Sequence, residues 1–193
     1  MLAGLRVPEE GTVRFLPPEE TGYLPERYAL HAAQPVRRSL EYFGRLRGLT
    51  RSAARERAMQ WLTRLQLEER GRERYRDLPA AAQRRVAIAA ALLHAPKTVL
   101  LDEGFTDLDP ATHDLLREEV RAMRAGGGAV LLTSSDLHAD ERLVDGVVLM
   151  NRGRAILQGG VTELRGKLYA SGAPRLHDLF VEALRRDDAA ARP

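Results

Sequence analysis

The chain has 193 residues, 44% of them hydrophobic and 5% aromatic, with a formal net charge of +3. That length suits one domain, or one domain carrying an inserted subdomain, with ample material for a core. The absence of cysteine excludes a disulfide framework and a thiolate metal site.

Of 30 basic residues only Lys97 and Lys167 are lysines. This arginine bias fits a codon preference or a basic patch. The first residues show no leader pattern. The longest apolar run, Val86 to Leu93, is too short to cross a bilayer. Any membrane connection is therefore expected to run through a partner.

In chain order, Met1 to Leu5 reads as the end of a helix, Pro8 and Gly11 as a turn, and Thr12 to Phe15 as a short strand. Thr21 to Leu24 reads as a strand ending in Pro25-Glu26. From Pro35 to Leu93 the periodicity is helical. Val36, Leu40, Phe43 and Leu46 share one face of a helix over 36–46. Gly48 can end it and Thr50 can cap the next, which runs to about Leu65. There Ala54, Ala58, Trp61, Leu62 and Leu65 form an apolar stripe, with Glu56, Gln60 and Thr63 opposite. The aromatic and arginine mixture in LEYFGRLRGL raises nucleic acid as a ligand. Its spacing is that of a core-packing helix, so nucleic acid is not the expected partner. The alanine-rich stretch Leu78 to Pro96 predicts a strong helix.

Three apolar residues, Val99 to Leu101, then run as a buried parallel strand into Asp102 and Glu103. The carboxyl end of a strand is where open α/β sheets place their ligand sites. Asp109 is a good N-cap and Pro110 a good first helical residue, opening a helix to Arg124. Gly126 to Gly128 end it. Ala129 to Thr133 reads as a second buried strand, so the glycine triplet precedes a strand and is a turn, not a phosphate loop. Asp145 to Asn151 and Arg154 to Gln158 predict a hairpin through Arg152-Gly153. Helices follow over 161–169 and 176–186, and 187–193 reads as a frayed tail. The acids Asp102, Glu103, Asp107 and Asp109 would crowd one another without a cation. At least one is expected to have a raised pKa or an arginine partner.

The stretch VLLDEGFTDLDP, Val99 to Pro110, resembles the Walker B and D-loop region of the ATP-binding cassette (ABC) ATPases, and the resemblance covers nearly the whole chain. It implies an α/β, P-loop NTPase-like (RecA-like) ABC core with a mostly parallel sheet, lacking the N-terminal strands and P-loop. A single domain over 1–193 would carry an inserted helical subdomain at about 35–95. By the same resemblance Asp102 would hold Mg²⁺, directly or through water, and Glu103 would activate the attacking water. Glu26 falls at the Q-loop glutamine, Gln83 in the signature motif, Asp109 at the D-loop and Ser135 at the switch histidine. All four would face ATP.

The departures matter as much. Gln83, Arg84 and Arg85 set the register of the family's LSGGQ signature. Pro79 then replaces its leucine, Ala80 its serine, and Ala81 and Ala82 its glycines. Ala80 offers no hydroxyl to a γ-phosphate held by the opposite subunit. Ser135 can hydrogen-bond but cannot switch charge near neutrality. His138 is expected to be a surface histidine. The one Gly-Lys pair, Gly166-Lys167, is followed by Leu168 inside a predicted helix and is not a P-loop. Hydrogen bonds to charged groups contribute roughly 1.5–3 kcal/mol each. Micromolar binding amounts to about 8 kcal/mol. Four or five absent phosphate contacts are enough to abolish it, so hydrolysis by this chain in isolation is not expected.

Without the P-loop strand the sheet has three ways to be completed. The natural chain is longer, Val99–Leu101 pairs directly with Val130–Leu132, or a partner supplies a strand. Three functional readings follow. The first is a degenerate ABC ATP-binding-type subunit at the cytoplasmic face of the membrane. It would dock on an integral-membrane permease and a second ATPase subunit, alike or different. The second is an active exporter subunit whose Walker A part is absent from this sequence. The third is a regulatory or nucleic-acid-associated module. RLHDLFVEAL resembles the closing segment of ATPases that serve ABC-2 type exporters.

Overall fold

Three strands, β1 (Thr21–Leu24), β2 (Thr98–Asp102) and β3 (Ala129–Thr133), form a parallel sheet in the order β1-β2-β3. The computed structural model describes residues 2–14, 17–28, 30–135, 143–168 and 176–190, with side chains to 164 and 187 in the last two helices. β2 pairs with β1 from Thr21↔Thr98 to Leu24↔Leu101. It pairs with β3 from Thr98↔Ala129 to Asp102↔Thr133. Within this chain Val99–Leu101 pairs directly with Val130–Leu132.

Parallel neighbours need long crossovers, and helices supply them. Between β1 and β2 run α1 (Val36–Leu46), α2 (Arg51–Arg64) and α3 (Ala80–Leu92). Between β2 and β3 runs α4 (Pro110–Ala125). Thr50 caps α2, its hydroxyl accepting from the Ala53 amide. All five residues of the α2 stripe, Ala54, Ala58, Trp61, Leu62 and Leu65, are buried. Helix α3 is buried continuously from Val86 to Leu92 because it has neighbours on both sides, β1 below and α1 and α2 above. Two glycines permit this closeness. A Cβ on Gly22 of β1 would lie 2.5 Å from the Ala91 carbonyl oxygen. One on Gly44 of α1 would lie 2.8 Å from Leu93 Cδ1.

Residues 135–193 cluster as a unit of their own. β4 (Gly146–Asn151) and β5 (Arg154–Gly160) form an antiparallel hairpin with an irregularity at Leu149/Met150. Its turn residues Arg152 and Gly153 have φ 49° and 76°, the left-handed pair that suits a two-residue hairpin. Helices α5 (Val161–Leu168) and α6 (Leu176–Ala190) bury Val161, Leu164, Leu176 and Leu179, with Val144, Val147 and Leu157 packed against them. Among the described residues, no helix is long and apolar enough to cross a membrane.

The structure corrects five expectations. Leu2 to Arg6 form turns and bends, not the end of a helix. Thr12 to Arg14 are outside any strand and meet no ladder partner among the described residues, which a strand requires; Phe15 lies outside the described residues. Leu46 is 58% exposed, because the buried face of α1 is Val36, Ser39, Leu40 and Gly44. Among the described residues β3 is a sheet edge, not a buried strand, and Leu131 on it is 46% exposed. Helix α6 continues to Ala190, its stretch near Asp187 tied by a 2.9 Å hydrogen bond from Asn151 Nδ2. His138 is outside the described residues.

His94, just past α3, is 8% exposed, and its Nε2 lies 3.2 Å from the Thr21 carbonyl. Its Nδ1 is buried without a partner among the described residues. Burial lowers its pKa to about 4, opposed by the Thr21 contact and aided by the charge of Arg47. Below pH 6.5 the unfolded chain binds a proton that the folded chain refuses. Stability is therefore full above 6.5 and falls as pH drops toward 4, by on the order of 2 kcal/mol. Urea titrations between pH 7 and 4 should show this decline, and His94→Gln should flatten it. Gly22→Ala should lower stability by about 2 kcal/mol or more, because the new methyl meets backbone and not a yielding side chain.

Candidate functional site

The site forms at the carboxyl end of β2, where the apolar strand delivers two acids in succession. Asp102 is the last residue of the strand, and its register partner on β3 is Thr133. The Thr133 hydroxyl donates to Asp102 Oδ1 at 2.6 Å. Glu103 follows in a left-handed conformation, φ 49°, which sterically disfavours a residue with a Cβ. Its amide donates to the Thr133 carbonyl at 3.2 Å and to the Thr133 hydroxyl oxygen at 3.1 Å. Its carboxylate Oε2 accepts from the Thr106 hydroxyl at 2.8 Å. Asp107, in the same turn, is also left-handed at φ 59°. Across the sheet, the Tyr23 phenol of β1 is pushed up in pKa by burial first and by the charge of Asp102 second.

Helix α3 reaches this turn with two arginines. Arg84 donates to the carbonyls of Glu103 at 2.7 Å, Pro25 at 3.0 Å and Glu26 at 3.1 Å. Burial lowers its pKa, while Asp107, Tyr75, Glu26 and Asp102 support its charge. Arg85 pairs with Asp109, 2.9 Å from Nη2 and 3.2 Å from Nε to Oδ2. Asp109 also caps α4, accepting from the Thr112 amide at 3.2 Å and the Thr112 hydroxyl at 2.6 Å. The Thr112 hydroxyl first and Arg85 second hold its carboxyl down at about 2. The arginine partner expected for the acid cluster is thus the one on Asp109.

Of the six residues expected at the site, Asp102 and Glu103 are adjacent at the strand end. Glu26 is exposed, and its backbone carbonyl meets the same arginine as that of Glu103. Asp109 is committed to its cap and to Arg85. Gln83 turns back, its Nε2 donating to the Leu78 carbonyl at 2.9 Å. Ser135 is exposed, two residues past the end of β3, and opens the second unit. Sequence reasoning did not assign Thr133, Thr106 or Arg84. Thr133 had a signal: Val-Leu-Leu precedes Asp102 and Thr133 alike, so pairing the two apolar triplets sets these polar residues side by side.

Asp102 supplies hard carboxylate oxygen, and Mg²⁺ is commonly held by one or two carboxylates with water and phosphate completing its shell. The donor set fits that ion. Among the described residues no group of three or more acids or histidines gathers around a common point, so a dedicated protein cage is not the fitting description. The phosphates of a nucleotide fit less well. The segments after β1, β2 and β3 begin with Pro25, Glu103 and Ser134, and none is a glycine-rich nest.

The sequence pattern of the ABC transporter family matches residues 1–106. The daunorubicin resistance ATP-binding protein DrrA3 of Streptomyces coeruleorubidus is 35% identical over 84% of this chain and 50% of its own length. The Nod factor export ATP-binding protein I of Ralstonia nicotianae is 29% identical over 98% of this chain and 64% of its own. A solved structure of an ATP-binding subunit of an ABC transporter superposes with a TM-score of 0.79 at 26% identity, covering 86% of this chain and 69% of that one. The chain spans about half the length of several of the curated relatives it matches, 48% and 50% for the first two. The parallel α/β sheet, the acid pair at the end of its middle strand and these matches together place the chain in the ABC transporter family.

Proposed function

We propose that this chain is an ATP-binding-type subunit of an exporter-class ABC transporter whose own 193 residues carry the carboxylate half of a nucleotide site and not the phosphate grip. The observation behind this reading is the pair Asp102 and Glu103, fixed side by side at the end of β2. Asp102 would hold Mg²⁺. Glu103 would accept a proton from a water directed at the γ-phosphate. When bound, Mg²⁺ would offset the repulsion between these acids and the phosphates. Glu26, Gln83, Asp109 and Ser135 are proposed as the surrounding polar residues, Gln83 and Asp109 acting through the local structure they hold. The partners are an integral-membrane permease and a second ATPase subunit, and the working position is the cytoplasmic face of the membrane. The degenerate signature, with Ala80 where the family has serine, supports a chain that does not turn over ATP in isolation.

A second reading draws on the intact acid pair and on the greater length of the relatives. Joined to a phosphate-binding segment outside these 193 residues, the same two carboxylates would serve a working ATPase of an exporter.

Calorimetric titration of the 193-residue chain with ATP, with and without Mg²⁺, should give no heat, and Glu103→Gln should leave background ATPase unchanged. Micromolar Mg²⁺-dependent binding, or a rate that falls with Glu103→Gln, would overturn the first reading. Mn²⁺ used as a paramagnetic probe should broaden amide signals near Asp102 at millimolar concentration. Asp102→Asn should remove that broadening.

A further inference from the structure

We infer that Thr133 and Arg84 are positioning residues that clamp Glu103 from opposite sides and so set the geometry of the carboxylate pair. This deepens the reading above, because it concerns what aims the same two acids. The need for a clamp comes from the backbone. A non-glycine residue in the left-handed region is strained, and such a conformation persists only where its surroundings over-determine it. Glu103 is in that region at φ 49°.

Both of its backbone groups are doubly held. The amide reaches the Thr133 carbonyl at 3.2 Å and the Thr133 hydroxyl oxygen at 3.1 Å. The carbonyl accepts from Arg84 Nη2 at 2.7 Å and from the Thr106 amide at 3.2 Å. The strain is thus opposed by a strand on one side and a helix on the other.

The Thr133 hydroxyl performs two tasks whose directions are set by charge. A carboxylate can only accept, so the single hydroxyl proton goes to Asp102 Oδ1 at 2.6 Å. A lone pair is then left for the Glu103 amide. One atom therefore ties the side chain of the first acid to the backbone of the second. Valine at this position would preserve shape and strand propensity and lose both bonds. Serine would keep both.

Arg84 closes the other side. Its guanidinium spans the carbonyls of Pro25, Glu26 and Glu103, so one side chain of α3 joins the turn after β1 to the turn after β2. Its five donors in a planar fork suit several carbonyls at once, and a lysine ammonium on a flexible stem does not reproduce that fork. A displacement of α3 would therefore be carried to Glu103 and to the Glu26 segment together.

The test uses the isotopically labelled 193-residue chain with no metal or nucleotide. In Thr133→Val the Glu103 amide proton should move upfield and exchange about tenfold faster or more, with the urea midpoint and the exchange of central β2 amides unchanged. Thr133→Ser should restore the Glu103 signal. Arg84→Lys should raise exchange in the turn Glu103–Thr106, again leaving central β2 amides unchanged. A Glu103 amide indifferent to Thr133→Val, a serine variant that fails to restore it, or a uniform rise across β2 and β3 would overturn the clamp. In a separate arm, the Mn²⁺ concentration that half-broadens signals near Asp102 should rise severalfold in Thr133→Val and return in Thr133→Ser. Absence of Mn²⁺ broadening in the unsubstituted chain would count against the metal role of Asp102, while the exchange data decide the clamp by themselves.

Discussion

The contact on which the first 134 residues depend is the seating of α3 directly on β1 at Gly22. A methyl at this position would be 2.5 Å from a helix carbonyl, so the approach exists only because glycine stands there. That closeness buries the whole second half of α3 and fixes where both its ends fall. At one end His94 reaches the Thr21 carbonyl at the start of β1. At the other, Arg84 and Arg85 reach the ends of β1 and β2 and the cap of α4. A helix of small apolar residues thus acts as the bearing between the helical segment and the sheet. Its polar residues, Gln83 to Arg85, gather toward its amino end, and His94 follows just past its carboxyl end.

The acids beside it divide by how they are held. Asp109 has a guanidinium, a hydroxyl and an amide, and its carboxyl is held down at about 2. Such a carboxylate is already compensated and serves as architecture. Asp102 and Glu103 receive neutral hydroxyls, from Thr133 and Thr106. These hydroxyls orient the two carboxylates, and the charge of Asp102 also helps to support that of Arg84. Their neighbour Arg84 directs its donors to backbone carbonyls.

Much of this was legible in the sequence where a local rule and the tertiary structure agree. The boundaries of α1 and β3, the Thr50 and Asp109 caps and the stripe on α2 follow from periodicity and capping chemistry. The middle strand ending in Asp102-Glu103 follows from an apolar run that stops at an acid. What was not legible depends on neighbours. Thr12 to Arg14 have strand propensity but no described partner, and Leu46 has the right spacing on α1 but stands beyond what α1 packs against. Ala129–Thr133 reads as buried because it is apolar, yet burial of a strand depends on what lies on both sides of it. The clamp was hidden for a related reason: Arg84 reads as part of a signature-like motif, and only three-dimensional placement shows that its partners are carbonyls.

On the reading proposed above, the arithmetic of phosphate binding makes an ordered acid pair only half of a nucleotide site. Asp102 and Glu103 present negative charge to a ligand that is itself strongly negative. Even two unit charges about 4 Å apart repel by roughly 4 kcal/mol near a protein surface. A divalent cation reverses the sign of that interaction, but a single carboxylate binds such an ion weakly. Most of the ion's remaining shell must come from phosphate oxygens and water. Cation and phosphates are therefore held jointly or not at all, and the joint hold needs several donors facing the phosphates at about 1.5–3 kcal/mol apiece. Among the described residues, Thr106, Thr133 and Arg84 direct donors at the acids and at the backbone that carries them. On the reading proposed above, they would hold the two carboxylates in place, so that donors approaching from elsewhere would meet a cation site whose geometry is already set.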